Sequence, residues 1–135
     1  MKFRTTSLLF VMVFGMTIGS ATLCWAKEVG YNYIIAYSYR DKVVYHSPIF
    51  TQNFKGKSYN EEEYVAETAL QLKMEAAFQN YLEKKMQVNW ADLTCSARVA
   101  FKTEDIAKKK MEKDIGDFRY KGFTLKQTPA FAYDD

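Results

Sequence analysis

Residues 29–39 alternate with period two, and that run constrains the fold more than any other stretch of the chain. Val29, Tyr31, Tyr33, Ile35, Tyr37 and Tyr39 fall on one face, and Gly30, Asn32, Ile34, Ala36, Ser38 and Arg40 on the other. β-Branched and aromatic residues at this spacing predict a strand. Arg40-Asp41-Lys42 is a short polar break, and a second run rich in strand formers follows from Val43 to Phe50. Two such runs around a short polar connection predict a hairpin. Pro48 has no N–H to give a ladder, so the second strand lies at an edge or ends there.

Residues 51–59 are polar and read as a loop. Asn60 before Glu61-Glu62-Glu63 resembles a capping box, with carboxylates placed to suit a helix N-terminus. The helix expected from there runs to about Lys85. Its buried stripe is Val65 or Ala66, Ala69/Leu70, Met74, Ala77/Phe78, Tyr81/Leu82 and Met86, in steps of three and four. A third alternating run points Leu93, Cys95, Ala97, Val99 and Phe101 one way, which predicts a half-buried strand. Thr103 caps a second helix with Glu104 and Asp105 in its first turn. Its inner stripe is Ala107, Met111, Ile115 and Phe118, and Gly122 terminates it. Phe123 to Phe131 alternate as a last strand.

The order is β-β-α-β-α-β. It predicts an α+β two-layer sandwich, with the helices packed on one face of a four-stranded sheet. The two crossovers each contain a helix, so the strands flanking them can run parallel.

The N-terminus is read apart from this domain. Lys2 and Arg4 precede an apolar run from Leu8 through Ile18, and small residues Gly19, Ser20 and Ala21 follow. That is the order of a secretory signal peptide, too short in its apolar part to span a membrane. The expected organisation is a signal peptide over 1–26 and one domain over 27–135. Cleavage after Ala21 and lipid attachment at Cys24 are the alternatives. The chain carries 19 Lys and Arg against 16 Asp and Glu, a net charge of +3. Two of those cations, Lys2 and Arg4, leave with the signal. The near-neutral remainder does not suggest a nucleic-acid partner. The expected location is exported, periplasmic or secreted, with no membrane span after cleavage.

Chemistry-bearing patterns are sparse. The single histidine, His46, stands beside Ser47 with Pro48 after it, and nothing there resembles a nucleophile elbow. One His and two Cys give no metal-ligand spacing. Cys95 reads as a small buried hydrophobe, or as a partner for Cys24 if cleavage falls after Ala21. Glu61-Glu62-Glu63 do not converge on one point of a helix. Lys108-Lys109-Lys110 are interleaved with acids and read as a solvated face. The glycines form no phosphate-binding loop, and no cofactor is implied.

Tyrosine is the unusual feature: ten in the chain, five of them in the hairpin. In a two-layer fold only one face of the hairpin is covered, so the other shows tyrosines to solvent, where they suit a protein interface. Tyr31, Tyr33, Tyr37 and Tyr39 are the candidate binding residues. The reading is a small exported binding or adaptor protein, with a protein partner held by exposed tyrosines or by strand addition to an edge. The same edge leaves room for a homo-oligomer. The alternatives are an inhibitor of a secreted toxin or hydrolase, a structural subunit of an envelope assembly, and a small hydrolase using His46.

Overall fold

The computed structural model describes residues 28–134. The expected signal peptide, its cleavage sites and Cys24 lie outside the described residues. The elements are β1 (Glu28–Ser38), β2 (Val43–His46), β3 (Phe50–Phe54), α1 (Thr68–Met86), a short 3-10 turn (Trp90–Asp92), β4 (Thr94–Phe101), α2 (Glu104–Tyr120) and β5 (Thr124–Gln127). The α+β class and the sandwich of one sheet with two helices are as the sequence predicts. The sheet counts five strands because the second arm of the hairpin is broken at Ser47–Ile49 into β2 and β3.

Strand β1 is the centre of the sheet. β4 runs antiparallel along one side of it. β2 and β3 share the other side, opposite Ile35–Ser38 and Glu28–Asn32 respectively. β5 adds to the outer side of β2, parallel to it. Strands β2, β4 and β5 therefore run one way and β1 the other.

That order corrects the expected placing of the helices. The crossover through α1 passes from β3 over β1 to β4, and the crossover through α2 returns from β4 to β5. Two crossovers of the same hand that travel in opposite directions must cover opposite faces, and crossovers are nearly always right-handed. Ile34, Ala36, Tyr45 and Ala97 accordingly pack with Met74, Phe78 and Leu82 of α1. Tyr33, Ile35, Val44 and Phe101 pack with Ala107 of α2 and with Phe123. The sandwich has three layers, and both faces of the hairpin are buried. A sheet covered on both sides is why its central strand is apolar at odd and even positions alike.

Two bulges face each other across β1. In β4, two residues, Val99 and Ala100, lie opposite Asn32 alone, and Ala100 has a left-handed φ of 66°. The extra residue turns Phe101 away from the α1 face, where Cys95, Ala97 and Val99 pack, and into the α2 face. The expected single face from Leu93 to Phe101 ends there. Asn32 is buried and its Oδ1 accepts the freed N–H of Ala100 at 2.8 Å. On the other side, Ser47-Pro48 interrupts the ladder. Ser47 is fully buried, and its Oγ accepts Ile34 N–H at 2.8 Å while donating to Pro48 O at 2.9 Å. This second irregularity sends Ile49 to the α2 core and Phe50 to the α1 core.

The first helix begins later than the sequence predicts. Asn60 does cap: its Oδ1 accepts from Glu62 N at 2.8 Å and Glu63 N at 2.7 Å. The turn it closes is not continued, because Tyr64 is drawn into extended pairing, donating its N–H to Ala100 O at 2.8 Å. Helix α1 starts at Thr68, and Glu67 at its N-cap makes no side-chain capping bond. Helix α2 begins as expected, with Thr103 Oγ1 accepting Ile106 N–H at 3.2 Å. It ends against Gly122 at φ 84°.

Candidate functional site

The four candidate tyrosines do not form one exposed surface. Tyr33 is 1% exposed. Its hydroxyl donates to Asp114 Oδ2 of α2 at 2.7 Å, and Arg98 Nε lies 3.6 Å from the same oxygen. Tyr31 and Tyr37 are half-buried on the α2 face. Tyr37 packs against Phe118 with ring centroids 4.9 Å apart. Only Tyr39, in the turn after β1, shows most of its side chain, at 57% exposed. It meets Phe123 edge-on, and Lys42 Nζ sits 5.5 Å from its ring centre. The physical reason is the second helix: α2 covers the face that a two-layer fold leaves bare.

His46 is 8% exposed and faces the α2 side. Its Nδ1 lies 3.0 Å from Ser47 O, an acceptor only, so Nδ1 carries the proton. Its Nε2 is buried without a hydrogen-bond partner among the described residues. The carboxylates that a His46-based hydrolase needs are thus not hydrogen-bonded to it, and both hydroxyl functions of Ser47 are engaged in the bulge. Among the described residues no group of His, Cys, Asp and Glu is placed to hold a metal ion. Cys95 is half-buried, and burial, then the Glu75 carboxylate, push its thiol up to about 12. It is therefore a neutral thiol at physiological pH. Lys108, Lys109 and Lys110 are exposed, and Lys110 pairs with Glu62 at 3.0 Å.

Among the described residues three strands end the sheet, β4 on one side of β1 and β3 and β5 on the other, and their edges differ in character. The outer edge of β4 is blunted by α1: Glu75 Oε1 accepts Ala97 N–H at 3.0 Å and Gln71 Nε2 donates to Ala97 O at 3.0 Å. The outer edge of β3 has no paired strand among the described residues. β5 runs beside β2 but leaves the sheet after Gln127, where Pro129 lacks the N–H to continue the ladder. The chain then turns back, with Phe131 N–H donating to Thr128 O, and Phe131 enters the α1 core. Among the described residues no strand fills the lane in line with β5 and beside β3, which Tyr133 and Asp134 border. Ile34 N and O point to the Ser47 side of β1, so Glu28, Gly30 and Asn32 do as well. By the alternation of an antiparallel ladder, the backbone groups of Phe50, Gln52 and Phe54 face β1, and those of Thr51 and Asn53 face the open lane.

Two clefts flank this lane. One, of about 310 Å³, lies between Gln52–Lys55 and the start of α1, where Glu67, Ala69, Leu70 and Lys73 form the far wall. The other, of about 400 Å³, lies between Thr51–Asn53 and Tyr133-Asp134. Phe54 shapes the first: its ring lies over Gly30 and Gly56, where any Cβ collides with it, and meets Tyr64 at 5.3 Å. Sequence reasoning assigned residues 51–59 to a loop and missed this strand. Its signal was faint, Phe50 and Phe54 two pleats apart with polar residues between. The chain matches no protein-family model, no curated protein and no solved structure.

Proposed function

We propose that this is an exported binding protein that takes an extended segment of a partner protein by strand addition at β3. The open lane beside Thr51 and Asn53 carries this reading. An unpaired edge is a template for another strand, and proteins ordinarily blunt such edges. This molecule blunts β4 with Gln71 and Glu75, while β3 has no strand paired to its outer side among the described residues. Strand addition draws affinity from main-chain hydrogen bonds and specificity from pockets for alternate side chains, and two clefts adjoin this edge. The N-terminal pattern of charge, apolar run and small residues supports export.

The test is native mass spectrometry of the gently purified protein from cells that export it, beside an Asn53→Pro variant. Proline removes one outward N–H at a position where an edge strand tolerates it. A companion held by the wild type and lost from the variant, with the thermal midpoint kept within a few degrees, is the expected result. A companion retained equally by the variant removes the edge from consideration.

A further inference from the structure

We propose that the β3 groove selects an acidic extended segment, seating an apolar side chain on Phe54 and Leu70 and a carboxylate between Lys55 and Lys73. This rests on the strand-addition reading and adds the chemistry of the partner. The lining of the cleft beside α1 combines apolar Phe54, Ala69 and Leu70 with two cations from separate elements. Lys55 follows β3, and Lys73 is one turn into α1. Both are exposed. Arg40, Arg98 and Lys110 each pair with a carboxylate, whereas Lys55 and Lys73 have no ion pair among the described residues. Glu67 is the one acid in that lining, so the cleft keeps a positive excess. The second cleft, which shares Gln52 and Asn53 with the first, is bordered by Asp134 instead. The lane is therefore polarised, positive by α1 and negative by the C-terminal residues. Side chains of a strand alternate between faces, so residues two apart share the face of this cleft, an apolar one on Phe54 and Leu70 and an acidic one beside Lys55 and Lys73.

The probes are three fluorescein-labelled heptapeptides, titrated with the purified chain and read by anisotropy. One carries valine and glutamate in turn at its odd positions with threonine between them, so that both lie on one face, one has lysine in place of the glutamates, and one is the acidic peptide with two prolines in its centre. The expected result is binding of the acidic peptide, at least tenfold weaker binding of the lysine peptide, and none of the proline peptide. Replacing Lys55→Glu and Lys73→Glu together, both on the surface, should weaken the acidic peptide about tenfold and bring the lysine peptide up. Added salt should weaken the acidic peptide as well. Equal binding of both charged peptides, lost together in Asn53→Pro, overturns the charge preference and leaves strand addition standing. Binding that survives Asn53→Pro or the central prolines overturns strand addition itself. No binding of either charged peptide at millimolar concentration overturns both. Sedimentation of the chain alone closes the remaining route: a dimer that Asn53→Pro dissolves assigns the lane to a second copy and overturns the proposal.

Discussion

Tyr33 shows how far a single side chain can be read in sequence. Its place on the strand was legible from period two, but its burial was not. Alternation says which residues share a face and is silent on what covers that face. Buried under α2, its hydroxyl donates to Asp114, 81 residues away. Burial, then the Asp114 carboxylate, raise the Tyr33 phenol far above its ordinary value. A group whose folded pKa is raised stabilises the fold below its unfolded pKa, near 10 for tyrosine, and that contribution fades as pH rises further. Cys95 acts in the same direction from about pH 8.5 upward, its folded pKa being about 12. Stability measured by urea melts should therefore fall through the alkaline range. Tyr33→Phe should cost about 1.5–2 kcal/mol at pH 7 through the lost bond to a charged acceptor. It should also flatten the part of the decline above pH 10. An unchanged alkaline slope in Tyr33→Phe refutes this assignment.

At the scale of elements, local signals were right about chemistry and uneven about extent. Asn60 caps two N–H groups as its sequence suggests, yet no helix follows, because Tyr64 pairs with Ala100 instead. A capping pattern spans four residues and cannot foresee a long-range hydrogen bond that competes with propagation. Thr103 has no such competitor, and the helix it caps forms where predicted. The buried stripe of α1 was also legible, since Met74, Phe78 and Leu82 lie at a helical spacing and are fully buried. The contrast between caps is measurable. Thr103→Ala should lower stability by about 1 kcal/mol, and Glu67→Ser, which supplies a cap where none exists, should raise it by up to about 1 kcal/mol. Both are read as shifts of the urea midpoint at constant slope. Equal and negligible shifts would mean that neither helix end contributes to stability through its cap.

Across the whole molecule, the arrangement of layers follows from strand order, which the sequence did not disclose. Placing β1 between β4 and the β2–β3 arm makes the two crossovers travel in opposite directions, and a shared hand then puts a helix on each face. The apolar residues on both faces of the hairpin were the available clue, and a buried sheet explains them better than an exposed tyrosine face. The unpaired edge of β3 was invisible for the same reason, since an edge is a property of the sheet and not of any one strand. Because its edge strands differ, the molecule offers an internal comparison. The β4 edge is held closed by Glu75 and Gln71, whose side chains satisfy the outward N–H and C=O of Ala97. Removing both, as Gln71→Ala with Glu75→Ala, leaves those backbone groups for water or for another chain. The double variant should lose about 1–2 kcal/mol of stability and should self-associate in a concentration-dependent way that the wild type does not show. Sedimentation velocity over a hundredfold range of concentration reads the outcome. If the variant stays in the wild-type state, side-chain blunting is not what keeps that edge unpaired, and the bulge at Ala100 becomes the explanation. If it associates, adding Asn53→Pro should leave the association intact, because the contact belongs to β4 and not to β3.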